Sequence, residues 1–294
     1  MTAQMLDGEA AAAAVKDDLR TRITALKEQG IVPGLGTILV GDDGPSQKYV
    51  GMKHADAADL GMETRDIRLP ATATQAEVDA AVAEMNADAS VHAYIMQYPF
   101  PKHLDFAAAM EKVAPAKDAD GIHPFNLGLL VMGEDAPLAC TPAGIVKLLE
   151  LNGVAIAGKH VVIVGRGLTI GRPLANLLSL KSVWGNAAVT VVHTGVQDIA
   201  SFTKTADIIV AAAGSPGMIT ADMVKPGAVV VAAGVSFVDG KVVSDAADDV
   251  AEVASWLTPR VGGVGPMTRA MLMANAVAAA EKVAAAKIAA APQA

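Results

Sequence analysis

Cysteine is nearly absent from this chain. Its single one, Cys140, rules out an internal disulfide and fits a reducing compartment. Aromatic residues are 3% of 294 positions against 52% hydrophobic, so the core must be built from Ala, Val, Leu, Ile and Met. Such a core favours helices packed closely on buried parallel strands. There is no basic run and no aromatic-plus-arginine stripe, and the formal net charge is -8, which argues against nucleic acid as a partner. The longest apolar run, 228–238, is far short of the ~20 residues a membrane helix needs. The opening stretch carries Asp7 and Glu9 without a basic region, unlike a secretory signal. The six histidines show no H-x-H or HExxH spacing, so no metal site is expected. No G-x-S-x-G elbow occurs, which excludes a Ser-His-Asp hydrolase of that kind. These absences predict a cytoplasmic protein, and its length predicts two domains.

What is present centres on residues 160–178, HVVIVGRGLTIGRPLANLL. Four β-branched residues at 161–164 read as a strand buried on both faces. Gly165, Gly167 and Gly171 follow, and then a helical pattern through Leu174, Leu177 and Leu178. Strand, glycine-rich turn and helix in that order form the phosphate corner of a dinucleotide fold. The next strand, 188–192, ends in His193-Thr194 without the acid that would hold a ribose 2′-hydroxyl, while Arg166 sits inside the turn. A missing carboxylate and a placed guanidinium favour NADP over NAD. Further strands at 207–213 and 228–233 end in glycine-containing turns. The stretch 258–268 reads as a glycine-rich loop ahead of a last helix over about 268–290.

The first half alternates strands and helices as well: helix 9–29, strand 36–41, helix 46–60, strand 64–69, a helix opened by a Thr74/Glu77 capping box, strand 91–97 and helix 104–114. Ser46 reads as an N-cap, and Thr141-Pro142 as the N-cap and first residue of a connecting helix. On helix 46–60, Ser46, Tyr49 and Lys53 share one face. Gln97 ends a strand before Tyr98-Pro99-Phe100-Pro101, placed to aim its amide into a ligand site. Lys117-Asp118-Ala119-Asp120-Gly121 sets two carboxylates in a loop. Cys140 reads as a small buried residue. The fold class is α/β.

Six motifs in order resemble the bifunctional methylenetetrahydrofolate dehydrogenase/cyclohydrolase family: S-x-x-Y-V-x-x-K from Ser46, Q-x-P-x-P from Gln97, K-D-x-D-G from Lys117, C-T-P from Cys140, G-R-x-x-x-x-G-x-P from Gly165 and G-G-V-G-P-M-T from Gly262. The resemblance implies two α/β domains with a cleft between them. Residues 1–140, joined by the helix 268–290, would be the folate-binding catalytic domain, and 141–267 a Rossmann-type NADP-binding domain. It implies that Lys53 is catalytic, that Gln97 bonds and places it, that Tyr49 packs over the folate rings and that Asp120 holds the pterin. Gly265 and Pro266 would line the folate site, and Gly165, Arg166, Gly167, Thr194 and Val235 would contact NADP. It further implies tetrahydrofolate derivatives as substrates, a homodimer and a place in one-carbon metabolism. The sequence departs from the family at Arg260, at Val261 where proline is usual, at Ala232 where aspartate is common and at Ser244 where glycine is typical. Two other readings are a shikimate-type NADP dehydrogenase with a catalytic lysine and a non-catalytic nucleotide sensor.

Overall fold

A computed structural model describes residues 2–238 and 241–290; Met1, Asp239, Gly240 and residues 291–294 lie outside the described residues. In chain order the strands are β1 (Gln4–Met5), β2 (Gly34–Val40), β3 (Glu63–Leu69), β4 (Ala93–Met96), β5 (His160–Val164), β6 (Ala188–Val192), β7 (Ile208–Ala211), β8 (Val229–Ala232), β9 (Val235–Val238), β10 (Lys241–Ser244) and β11 (Trp256–Leu257). The helices are α1 (Gly8–Glu28), α2 (Gly44–Asp59), α3 (Gln75–Ala87), α4 (Phe106–Met110), α5 (Pro124–Met132), α6 (Cys140–Leu151), α7 (Gly171–Ser179), α8 (Ala200–Thr203) and α9 (Val264–Ala290). None of these helices is long and apolar enough to cross a membrane. The chain divides into two α/β units. One comprises Ala14–Gly128, residues 136–138 and the chain from Arg269 on; the other comprises the chain up to Ala13, Leu129–Asp135 and Ala139–Thr268.

The first unit is built on a parallel sheet in the order β3-β2-β4. All seven residues of β2 are buried, as the central strand of a covered parallel sheet should be. The capping box at Thr74 and Glu77 opens α3 as its sequence predicts. Helix α2 begins two residues earlier than expected. Asp43 is its N-cap and accepts the Ser46 N–H at 2.9 Å, while Ser46 is buried inside the first turn. With Pro45 at the start, the charged Asp43 carboxylate, rather than the Ser46 hydroxyl, takes the free N–H groups. The helix expected over 104–114 runs only from Phe106 to Met110, and a tight turn at Pro115–Lys117 follows, with Ala114, the residue before the proline, held extended.

The second unit carries six parallel strands in the order β1-β11-β8-β7-β5-β6. Val161, Val162, Ile163 and Val164 are fully buried in β5. Strand β6 lies on one side of β5 and β7 on the other, so strand order reverses at β5, the position where open α/β sheets bind ligands. An antiparallel hairpin, β9 with β10, follows β8 where the sequence suggested only a turn. Strands β1 and β11 have two residues each, too short for any alternation to register. Helix α6 starts at Cys140 with Ala139 before it and no side-chain cap; Thr141 instead bonds Thr268 at 3.0 Å. Helix α9 starts at Val264, so Gly265 and Pro266 occupy its first turn rather than a loop. Proline is accepted there because a first-turn N–H has no helical partner.

Candidate active site

Lys53 lies on α2 with only 5% of its surface exposed, which is unusual for a lysine and demands partners. Its Nζ donates to Gln97 Oε1 at 3.0 Å and stands 4.7 Å from the centre of the Tyr49 ring. The amide of Gln97 cannot turn over freely, because Nε2 donates to the Tyr98 carbonyl at 2.7 Å. That bond commits Oε1 to the lysine. The helical spacing that put Tyr49 and Lys53 on one face, and the strand end that aimed Gln97, thus meet in a single contact.

Helix α2 is fixed around this lysine by contacts the sequence did not reveal. Thr37 of β2 donates its hydroxyl to Asp66 at 2.8 Å and therefore accepts from His54 Nε2 at 2.9 Å. Burial pushes the His54 imidazole below its usual range, in keeping with a neutral ring. One turn on, Asp56 receives Lys16 and Arg269, each at 2.6 Å. These partners come from 40 and 213 residues away in sequence, a separation no local pattern can signal.

The loop 117–121 divides its two carboxylates between different tasks. Asp118 is 2% exposed and accepts from the backbone of Gly121 and His123 at 3.0 and 2.8 Å, and from Asn126 Nδ2 at 2.9 Å. It shapes the turn. Ala119 N–H bonds the Tyr94 carbonyl at 3.1 Å, which lays the loop alongside β4. Lys117 donates to the carbonyls of Met85 and Asp88, so its role is structural as well. Asp120 is left for other work. Burial raises its pKa above the ordinary carboxylate range, the positive Lys53 works against that shift, and neighbouring Asp118 adds to it.

A raised carboxyl pKa means the folded chain binds more protons than the unfolded chain between the two values, so stability falls as pH rises through that window. Asp120→Asn is therefore expected to raise the melting temperature at pH 7.5. The gain should shrink as pH falls through the ordinary carboxylate range, below which the carboxyl is protonated in both the folded and the unfolded chain. Thermal melts of both proteins at each pH test this, and a lower melting temperature for the variant at pH 7.5 would contradict it.

In the six-stranded unit, the other predicted residues gather at the carboxyl ends of the strands. Gly165 ends β5 at φ +130°, and a Cβ there would lie 2.2 Å from the Ala212 carbonyl oxygen. Gly171 opens α7 pressed against the Gly165 carbonyl in the same way, whereas Gly167 faces open space. Arg166, Gly167 and Thr194 are exposed at this edge, and Val235, at the start of β9, is 49% exposed. A tight corner with bare backbone, an exposed guanidinium and no acid at the end of β6 fits a phosphorylated dinucleotide. Gly265 and Pro266 belong to this unit, and Gly265 has no atom within 4 Å of where a Cβ would stand.

Residues 6–120 match the family described as tetrahydrofolate dehydrogenase/cyclohydrolase, catalytic domain, and residues 139–284 match its NAD(P)-binding domain. A bifunctional protein FolD from Syntrophotalea carbinolica is 52% identical over 282 residues, covering 96% of this chain and 97% of that protein. The crystal structure of a bifunctional FolD dehydrogenase/cyclohydrolase from Campylobacter jejuni superimposes with a TM-score of 0.91 at 38% identity, over 95% of this chain and 99% of that one. The Trypanosoma brucei FolD structure, complexed with NADP cofactor and inhibitor, superimposes with a TM-score of 0.90 at 37% identity, over 96% and 99% of the two chains.

Proposed function

This chain belongs to the tetrahydrofolate dehydrogenase/cyclohydrolase family, and from that premise we propose how its residues share the two reactions. The chain is a bifunctional enzyme that oxidises 5,10-methylenetetrahydrofolate to the methenyl form with NADP and hydrolyses that to 10-formyltetrahydrofolate. A shikimate-type dehydrogenase and a nucleotide sensor are not favoured by these relationships. We assign the folate chemistry to residues 1–140 with 268–290, and NADP binding to 141–267.

In the first reaction a hydride leaves the methylene carbon and a cationic methenyl bridge remains. No protein base is required, so the protein's contribution is orientation. Tyr49 packs over the folate ring system, Asp120 holds the pterin, and Gly265 and Pro266 line the folate. Gly165, Arg166, Gly167, Thr194 and Val235 hold NADP, which when bound supplies the hydride acceptor. In the second reaction, water adds to the methenyl carbon and a proton must leave the attacking oxygen before the ring opens. Lys53 Nζ takes that proton as the neutral amine, the form that burial and the adjacent cationic methenyl bridge favour, and Gln97 keeps the amine in place. The observation that carries this reading is the buried lysine bonded to a glutamine whose own orientation is locked.

The enzyme works as a cytoplasmic homodimer in this reading. Support for pairing comes from β6, which closes one end of the six-stranded sheet and leaves Val191 37% exposed.

Arg166 provides the test of the cofactor side. The wild type should use NADP at least about tenfold better than NAD in kcat/KM, and Arg166→Ala should erase most of that preference by raising the KM for NADP. Equal use of both cofactors by the wild type would overturn the assignment.

A further inference from the structure

One buried carboxylate at the cofactor edge has no part in the assignments above. Asp245 follows the β9–β10 hairpin and is fully buried. Its Oδ2 accepts two backbone N–H groups, from Ala213 at 2.7 Å and Gly214 at 2.8 Å, in the turn after β7. Its own N–H donates to the Gly234 carbonyl at 3.1 Å, in the turn after β8. A Cβ on Gly234 would stand 1.9 Å from Oδ2, so glycine there is what lets the carboxylate reach across. Asp245 Oδ1 has no hydrogen-bond partner among the described residues. The segment around it holds the same turn further: Gly217 N–H bonds the Ser244 carbonyl and Ile219 N–H bonds the Asp245 carbonyl, both at 2.9 Å.

A doubly wound sheet seats one mononucleotide on each half. Strands β5 and β6 carry the phosphate corner and Arg166, which leaves the ends of β7 and β8 to the nicotinamide. These are the two turns that Asp245 ties together. We infer that Asp245 is the positioning residue for the nicotinamide side of the cofactor site, fixing the turns 212–217 and 233–236 through their backbone.

The inference rests on NADP binding at this edge, and the two can be told apart. Binding strength resides mostly in the phosphate corner, whereas hydride geometry depends on the nicotinamide turns. Asp245→Asn keeps the shape but replaces two charge-assisted bonds with weaker neutral ones. It is expected to lower the dehydrogenase kcat about tenfold while the KM for NADP moves less than about threefold. Gly234→Ala, which pushes on the carboxylate from the other side, should give the same pattern. Arg166→Ala should do the reverse and raise KM while sparing kcat. Hydrolysis of supplied methenyltetrahydrofolate reports in each variant on the rest of the chain. An unchanged dehydrogenase kcat in Asp245→Asn would overturn the inference, as would an equal loss of both activities. If Arg166→Ala left NADP use untouched as well, the placement of the cofactor itself would fall.

Discussion

Lys53→Met is expected to lower the hydrolysis of 5,10-methenyltetrahydrofolate by ~10²–10⁴-fold, the range a general base contributes, and to leave NADP binding intact. Methionine keeps an unbranched apolar stem of similar length and can still lie against the Tyr49 ring. The variant should therefore fold at least as well as the wild type, because a buried amine is a costly group to desolvate. What disappears is the donor to Gln97 Oε1 and, with it, the amine proposed to carry the proton. Decay of methenyl absorbance, measured beside an NADP titration, checks both halves. Normal hydrolysis by the variant would remove Lys53 from the chemistry.

Gly165→Ala should have the largest effect on the cofactor side. The residue sits at φ +130°, where side chains are strained, and its new Cβ would meet the Ala212 carbonyl oxygen at 2.2 Å and carbon at 2.7 Å. Both are backbone atoms just past the end of β7, so relief requires the neighbouring strands β5 and β7 to part. A loss of about 2–4 kcal/mol in stability is expected, with NADP affinity reduced at least ~100-fold as the corner opens. Gly167→Ala, with open space around it, should change stability by less than about 1 kcal/mol. Calorimetric NADP titrations and thermal melts of the two variants make the comparison. Equal behaviour would mean that the corner is not shaped by this close approach.

Much of this was legible in the sequence because the informative signals are local. The four β-branched residues of β5, the glycines behind them and the helix after them are continuous in the chain, and the structure places them as strand, corner and helix. The i, i+4 relation of Tyr49 and Lys53 is a property of any helix, and it needed only the helix to form. Gln97 was legible because a polar amide at the end of an apolar strand has few structural uses. The failures share a cause too. Asp43 displaced Ser46 as the cap because both types suit that position and only geometry decides. Strands β1 and β11 exist because neighbours in the sheet hold them, not because their own residues show a pattern. Asp245 belongs to none of the sequence motifs, and the two turns it ties together lie 31 and 11 residues away along the chain. The ties from His54 and Asp56 to distant partners are of the same kind. Local patterns single out the residues proposed for the chemistry, whereas most contacts that brace them join positions far apart in the chain.

The most direct test of the whole account is one absorbance experiment on the wild-type chain, supplied with 5,10-methylenetetrahydrofolate and NADP. NADPH formation and methenyl absorbance are followed together. The wild type should produce NADPH steadily with methenyl absorbance that stays low or decays as 10-formyltetrahydrofolate accumulates, and Lys53→Met should give the same NADPH production with methenyl that builds up and persists. No NADPH from the wild type, or methenyl that decays equally fast in both proteins, would contradict it.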